Sequence, residues 1–261
     1  MTGTLGNIID EHKFPLRSQQ FRNRCRQTLD RDGALVLPEF LLSNVIDAIR
    51  EEGEAQRHLA YFTVSDHNIY LTPPDPKYAD NHPRNRRVSS SKGCITDDQI
   101  PPESALRQLY NATDFRDFLC DVLGENCLYE YGDPLSSINL HYASEDQELG
   151  WHFDNSSFAI TLMIQSAKQG GEFEFVKDVR DADAGEMNFD RAADVLDGKV
   201  PTQKLSMGAG TLVLFRGRNS MHRVTPTIGE QTRMLVVLAY NTEPGISLSE
   251  SARMTFYGRT E

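Results

Sequence analysis

Apolar residues recur with two different periods along the chain, and the period changes near residue 125. Before that point helical spacing dominates, as at Val45 and Ile49, which share one helix face. The pattern predicts helices at 16–30, 42–54, 104–110 and 114–123. The short apolar stretch 34–37 is predicted to be a strand, and the aromatic and β-branched stretch 60–71 is predicted to be a strand or hairpin.

The segment 72–104 follows these stretches and holds six prolines among many polar residues. It is predicted to be a long loop. Loops of this length in compact domains are typically lids or binding segments. We therefore expect it to cover a functional site.

After residue 125 the pattern changes to short apolar and β-branched runs punctuated by glycine. Strands are predicted at 127–131, 136–142, 157–165, 172–177, 203–207, 211–215, 221–225 and 232–241, with another at 252–257. Residues 188–196 are predicted to form a short helical insertion. Many short strands with turn signals indicate a sandwich or barrel, so a mainly β fold with N-terminal helices packed around it is expected.

The composition is typical of a globular protein, with 39% hydrophobic and 25% charged residues. The longest apolar run, 234–240, has seven residues, whereas a transmembrane helix needs about 20. Residues 1–10 lack a basic segment followed by an apolar one, so no signal peptide is expected and a cytoplasmic location is predicted. The net charge of −11 argues against a nucleic-acid partner. The four cysteines form no Cys-x-x-Cys pair, so free thiols are expected.

A His-x-Asp pair is the first candidate for chemistry. His152 and Asp154 lie two residues apart, and in an extended segment both side chains face the same side. Both can therefore reach one metal ion. Alone the pair is a weak signal, because a chain this acidic produces such a pair by chance, and a solvated turn is the alternative.

Two later residues extend this pair. His222 precedes a β-branched run, and two histidines with one carboxylate form the facial triad that holds non-haem Fe(II). The alternative for His222 is an ordinary core or surface histidine. Arg233 opens the apolar strand 232–241, where a buried guanidinium needs an anion such as a carboxylate. A surface salt bridge at the strand end is the alternative for Arg233.

The order and spacing of these four residues resemble the Fe(II)/2-oxoglutarate-dependent oxygenases. That superfamily carries His-x-Asp, a distal His and then an Arg on a double-stranded β-helix, a jelly-roll or cupin-like core. The resemblance implies that His152, Asp154 and His222 bind Fe(II) and that Arg233 anchors 2-oxoglutarate.

Tyr142 adds to the resemblance. It lies ten residues before His152, where prolyl-4-hydroxylase-like members often carry a tyrosine facing the co-substrate. The resemblance therefore implies that Tyr142 contacts 2-oxoglutarate. For its strand neighbours Asn139 and His141, core packing and co-substrate contact stay equally open.

A closer resemblance covers nearly the whole chain. The blocks 133–135, 150–158 and 215–226 are similar to the free amino-acid oxygenases, a group that includes the radical halogenases acting on free lysine (BesD-type). Those halogenases have a small residue where this chain has Asp154, and the gap leaves a coordination position for chloride. With a carboxylate in that place, the resemblance implies a hydroxylase.

The implied enzyme hydroxylates an unactivated C–H bond of a free amino acid, a basic one such as lysine being a candidate, and decarboxylates 2-oxoglutarate to succinate. It would use Fe(II), 2-oxoglutarate and dioxygen, with ascorbate as reductant in vitro. One domain, 1–261, is expected, with a helical and lid-forming part, 1–125, and a double-stranded β-helix core, 126–258. The expected partner is a small molecule, neither nucleic acid nor membrane, and a homodimer is one candidate assembly.

Four residues are candidates for holding the substrate. Arg86 and Arg87 lie in the predicted cover, where a cationic cluster can clamp a carboxylate. A solvated loop face is the alternative for both. Asn155 follows the metal motif and Asp133 precedes the strand 136–142, so either can receive an amine.

Three other functions remain open. The same machinery can act on a peptide, which needs an open groove rather than a cover. The same chemistry can end in halogenation, desaturation or cyclisation, of which Asp154 argues against halogenation only. The alternative from another class is a metal-free jelly-roll binding module with His152 and His222 in its core, which would bind no iron.

Overall fold

Helices cover much of the N-terminal half of the chain in the computed structural model, which describes residues 5–261. They are α1 (Gln19–Asp32), α2 (Ser43–Gln56), α3 (Ala105–Asn111) and α4 (Thr113–Leu123), followed later by α5 (Phe189–Leu196) and α6 (Glu250–Tyr257). Local chemistry sets the ends of α1. The Ser18 hydroxyl accepts a hydrogen bond from the Phe21 amide, and Gly33 ends the helix at a φ of 75°. Within the described residues, every helix is too short or too polar to cross a bilayer.

Thirteen strands are found in residues 5–261. They are β1 (Ala34–Leu37), β2 (Tyr61–Asn68), β3 (Arg87–Ile95), β4 (Ile138–Ala143), β5 (Leu149–His152), β6 (Ala159–Gln165), β7 (Gln169–Gly170), β8 (Phe173–Val176), β9 (Gln203–Leu205), β10 (Leu212–Phe215), β11 (Met221–Val224), β12 (Thr227–Ile228) and β13 (Arg233–Leu238). Eleven of them form one antiparallel sheet in the order β1-β10-β6-β13-β4-β3-β5-β11-β8-β9, with β2 also paired to β3. This sheet is nearly closed into a barrel-like jelly roll, which confirms the predicted mainly β fold.

The two faces of the central strand β4 contact different parts of the molecule. On β4, Ile138, Leu140 and Tyr142 belong to the main apolar core, which they share with helical residues such as Leu29 and Phe115. The alternate residues of β4 face the opposite side, into the barrel, because successive side chains of a strand point to opposite faces. The barrel interior is therefore free for polar and functional side chains.

The predicted long loop at 72–104 is wrong for its second part. Arg87–Ile95 is strand β3, which pairs with β2, β4 and β5. With β1, these strands place part of the N-terminal half inside the main sheet. Residue 125 is therefore not a boundary between helices and sheet.

Two of the later strands were also wrongly predicted. The run 252–257 lies in helix α6, whose N-terminus is capped by the Ser249 hydroxyl accepting from the Ala252 amide at 3.2 Å. The run 127–131 forms only an isolated bridge between Tyr129 and Asn241. The other predicted strands and helices are confirmed, with ends displaced by a few residues.

The fold leaves several expectations untested and confirms the one on the cysteines. The signal-peptide expectation concerns residues 1–10, of which the first four lie outside the described residues. The cytoplasmic location and the single domain stay predictions. The four cysteines are free thiols within the described part of the chain.

Candidate metal centre and adjoining pocket

Two histidines and one carboxylate meet at one end of the barrel interior. His152 ends β5 and pairs with His222 on the adjacent antiparallel strand β11, while Asp154 follows two residues after His152. One ligand atom from each residue lies within 4.8 Å of the others. The Asp154 Oδ1 atom is 3.8 Å from Nε2 of His152 and 3.5 Å from Nε2 of His222. The structure thus brings together the three predicted metal ligands.

Backbone carbonyls fix the orientation of both imidazole rings. His152 Nδ1 lies 2.8 Å from the Gly150 carbonyl oxygen, and His222 Nδ1 lies 3.0 Å from that of Ser220. A protonated Nδ1 donates to each carbonyl, which leaves Nε2 with a free lone pair facing Asp154. Metal-binding histidines are typically oriented by such a contact.

Asp154 is held by a close approach of the backbone at Gly217. The Asp154 amide donates to the Gly217 carbonyl at 3.1 Å. A Cβ at Gly217 would lie only 1.8 Å from Asp154 Oδ2, so any larger residue would displace the carboxylate. Gly217 was not among the predicted site residues, although it lies in the turn before β11 and within the block 215–226.

The residues present fit a divalent metal ion. Asp154 Oδ2 is buried and has no hydrogen-bond partner among the described residues. Burial, together with the nearby His222, lowers the pKa of His152 to about 3. Burial alone would raise the pKa of Asp154, but His222 and His152 hold it below its usual value. Burial alone would lower the pKa of His222, but Asp154 raises it above its usual value, so a metal ion that binds between these residues displaces the proton of His222. Two nitrogens with one oxygen suit non-haem iron.

A cavity of about 280 Å³ adjoins these three residues. Its walls are largely apolar and include Leu235, Phe173 and Val213. Its lining also includes the three ligand candidates together with Lys92, His141 and Arg233. Predicted metal ligands and the predicted carboxylate anchor therefore share one pocket.

Arg233 begins β13 with only 4% of its surface exposed. Its Nε and Nη2 atoms are buried without a hydrogen-bond partner among the described residues. Burial lowers the pKa of the guanidinium to about 10. Gly171 leaves room for this side chain, because a Cβ there would lie 3.0 Å from Arg233 Cδ, at a backbone φ of +61°. An unpartnered guanidinium facing a pocket is suited to a ligand carboxylate.

Tyr142 does not lie at this pocket, which corrects the expectation that it faces the co-substrate. It is fully buried in the core on the opposite face of β4, and its hydroxyl donates to the Gly53 carbonyl at 2.6 Å. The next residue back along the strand, His141, lines the pocket instead. Asn139 lies two residues further back, and its side-chain amide donates to the Leu135 and Ile138 carbonyls. The Tyr257 hydroxyl donates to its side-chain oxygen.

This placement of Tyr142 predicts a structural rather than a binding role. In Tyr142→Phe, the buried Gly53 carbonyl loses its partner, so the free energy of unfolding should fall by about 1–3 kcal/mol. Affinity for 2-oxoglutarate should stay at the wild-type level. Denaturant unfolding and ligand titration check the two effects, with Tyr61→Phe at an exposed site as the control. A weakened affinity with unchanged stability would contradict this placement.

Arg86 and Arg87 are occupied elsewhere and do not line the pocket. Arg86 forms an ion pair with Asp197 at 2.5 Å, just beyond helix α5. Arg87 Nη2 donates to the Asp66 carbonyl of the neighbouring strand. Both arginines therefore tie the 72–104 segment to adjacent elements.

Asp133 and Asn155 are also outside the pocket lining. Asp133 is buried, and its carboxylate accepts from the Leu135 amide at 3.1 Å, the Ser136 hydroxyl at 2.7 Å and the Leu248 amide at 2.9 Å. Asn155 is exposed, and its carbonyl accepts from Arg218 at 2.9 Å. The four predicted substrate residues thus have local structural contacts instead.

Comparisons with known proteins give a family and a fold for this chain. A family model described as Halogenase D (HalD) matches residues 17–255. No curated protein matches the sequence.

Solved structures give the fold. An oxidoreductase of the 2OG-Fe(II) oxygenase family from Burkholderia pseudomallei is 14% identical, with a TM-score of 0.55 over 87% of this chain and 93% of that chain. HygX from Streptomyces hygroscopicus, solved with nickel, 2-oxoglutarate and hygromycin B, is 15% identical, with a TM-score of 0.56 over 91% and 96%. A prolyl hydroxylase from Trichoplax adhaerens, solved with a peptide fragment of hypoxia inducible factor, is 12% identical, with a TM-score of 0.56 over 85% and 89%. The chain therefore has the fold of these oxygenases.

Proposed function

The chain belongs to the halogenase D family and has the fold of the Fe(II)/2-oxoglutarate oxygenases, and on that premise we propose that it hydroxylates an unactivated C–H bond of a free amino acid. Fe(II) is held by His152, Asp154 and His222, and 2-oxoglutarate by Arg233. One observation supports the hydroxylation outcome: the Asp154 carboxylate lies 3.5 Å and 3.8 Å from the Nε2 atoms of His222 and His152. It thereby takes the coordination position that the halogenases this chain resembles leave for chloride.

The bound Fe(II) and 2-oxoglutarate supply dioxygen activation, coupled to decarboxylation of the 2-oxo acid to succinate, which side chains alone cannot supply. The chain's own residues bind and orient the reactants. Arg233 pairs with the distal carboxylate of 2-oxoglutarate and so fixes its direction relative to the three metal ligands. Apolar walls such as Leu235 and Phe173 exclude water from the reacting C–H bond.

A small substrate suits the size of the pocket. The 280 Å³ cavity is just below the range of about 300–1,000 Å³ typical of sites for drug-sized ligands. It suits two small acids side by side better than a folded or extended peptide. Together with the resemblance to the free amino-acid oxygenases, this supports a free amino acid, with a basic one such as lysine as the first candidate.

Succinate formation tests the substrate class. The protein is incubated with Fe(II), ascorbate, 2-oxoglutarate and air against a panel of free amino acids, basic ones included, and a set of short peptides. We expect one free amino acid to raise succinate well above the substrate-free background. Stimulation by peptides alone would contradict the substrate class, and the absence of both succinate and bound iron would favour the metal-free binding module.

Asp154→Gly tests the third ligand position. Loss of a residue that only orients a metal ligand lowers activity by about 10- to 100-fold. Hydroxylation by Asp154→Gly should fall further, because a direct ligand is removed. The opened position predicts some chlorination when chloride is present. Product masses of the wild type and the variant provide the measurement.

Asp146→Gly is the matched control for Asp154→Gly. Asp146 is an exposed carboxylate at a φ of 63°, which glycine adopts without strain. Its replacement should leave hydroxylation unchanged. Full hydroxylation by Asp154→Gly itself would show that Asp154 is not a ligand.

Halogenation is the second candidate function, and the family model favours it. It requires an open halide position at the metal, which the Asp154 carboxylate takes in this chain. The product formed in the presence of chloride separates the two outcomes.

A further inference from the structure

Lys92 lies at the centre of strand β3 and faces the barrel interior. Its strand neighbour two residues on, Cys94, pairs directly with His141 of β4, so Lys92 and His141 share the inner face of the sheet. The Lys92 ammonium is 3.2 Å from Nε2 and 3.3 Å from Nδ1 of the His141 ring. Both residues line the pocket that holds Arg233 and the three metal-ligand candidates.

Neither cation of this pocket has a counter-charge from the protein. Within residues 5–261, no carboxylate lies within 4.0 Å of Lys92 or Arg233. The side chain between them is itself a base, and burial, then Lys92, then Arg233 lower the pKa of His141 well below its usual value. A neutral His141 accepts a hydrogen bond from the ammonium and cannot neutralise it.

The positive charge of Lys92 and Arg233 needs an anion from outside the chain. Arg233 is buried and Lys92 is half-buried, and a cation shielded from water without a counter-charge carries a desolvation cost. Carboxylates are the anions that the proposed reactants bring. A carboxylate that contacts Arg233 alone would pair with the guanidinium nitrogens that lack a partner, but it would leave Lys92 without an anion.

We propose that Lys92, oriented by His141, is a second carboxylate-binding residue of this pocket, separate from Arg233. This inference rests on the proposed function and specifies it further. The carboxylate comes from one of two sources: the distal end of 2-oxoglutarate, shared with Arg233, or the α-carboxylate of the amino-acid substrate. The ammonium is a compact point charge with three donors, so it can bind a carboxylate while keeping the His141 contact.

Anaerobic binding to the Fe(II)-loaded protein tests this role. The visible absorption band that forms when a 2-oxo acid chelates Fe(II) reports the Kd for 2-oxoglutarate and for 2-oxovalerate, which lacks the distal carboxylate. The change in that band reports the Kd for the amino acid that gives the most succinate and for its amide. Lys92→Met removes the charge, Lys92→Arg keeps it, and Lys77→Met at an exposed loop position is the matched control.

The expected result is a weaker affinity for the one ligand whose carboxylate Lys92 binds. If 2-oxoglutarate is the source, Lys92→Met raises its Kd by about 10- to 100-fold and leaves that of 2-oxovalerate unchanged. If the substrate is the source, the Kd of the amino acid rises by the same factor and the Kd of its amide does not change. In either case Lys92→Arg restores most of the affinity, which a purely structural role would not predict.

Three results would overturn the assignment. One is unchanged affinity of Lys92→Met for both 2-oxoglutarate and the amino acid. Another is an equal loss for all four ligands, which would reveal a structural defect. The third, a wild-type protein that forms no band with either 2-oxo acid, would remove the proposed function itself and is distinguishable from the other two.

Discussion

Replacing His222 by alanine should remove iron from the protein and lower turnover by at least about 10³-fold, as loss of a central catalytic residue does. The reason is geometric, because His222 supplies one of the three ligand candidates that converge within 4.8 Å. His152→Ala should have the same effect from the adjacent strand. Iron content after anaerobic loading and desalting, together with succinate formation, provides the measurement.

The control for these variants is His58→Ala. His58 is an exposed histidine whose Nδ1 lies 2.9 Å from the nearby Ala55 carbonyl oxygen. That variant should keep both iron and turnover. Because His222 packs against Phe215 and Phe173, circular dichroism must show that His222→Ala is folded. A folded His222→Ala that retains stoichiometric iron would refute the assignment of His222 as a ligand.

Arg233→Met should weaken 2-oxoglutarate binding by about 100-fold, because it removes a charged partner of the distal carboxylate. The stability of the ligand-free protein should not decrease. A buried guanidinium without a partner costs free energy, and methionine replaces it with an apolar chain of similar reach. Melting temperatures with and without 2-oxoglutarate separate the two effects, since a ligand stabilises only the state that binds it.

Wild-type protein should therefore gain melting temperature with 2-oxoglutarate, and Arg233→Met should gain much less at the same ligand concentration. Arg191→Met is the control, because Arg191 is an exposed arginine on helix α5 with no ion pair among the described residues. An equal gain of melting temperature in wild type and Arg233→Met would contradict the anchoring role.

The metal centre could be predicted from the sequence because its geometry is local. Two residues of an extended segment share one side, so His152 and Asp154 had to converge wherever that segment lay. The partner His222 followed from the type of ligand set, together with an order and spacing that resemble those of the Fe(II)/2-oxoglutarate-dependent oxygenases. The structure adds the strand pairing of His152 with His222 and the glycine contact that holds Asp154.

Strand parity explains the error at Tyr142. Adjacent residues of a strand point to opposite faces, so a difference of one position decides between core and pocket. The sequence does not show which face of β4 the helices cover. Tyr142 is buried beneath helix α2, and His141 takes the place in the pocket.

Lys92 escaped prediction because strand β3 does not have the pattern of a strand. Its run Ser89–Lys92 is polar on both faces, so it lacks the alternation of apolar and polar residues that indicates a half-buried strand. The opposite error occurred with Arg86, where a cationic loop cluster suggested binding and the structure shows an ion pair with Asp197. Distant partners of charged residues cannot be inferred from a local pattern.

The product formed in the presence of chloride tests the central claim most directly. The protein is incubated with Fe(II), ascorbate, 2-oxoglutarate, air and chloride, together with the free amino acid that stimulates succinate formation. Mass spectrometry of that amino acid then identifies the atom added. The account predicts one added oxygen and a matching amount of succinate, because Asp154 closes the halide position. A chlorinated amino acid from the wild-type protein would contradict it.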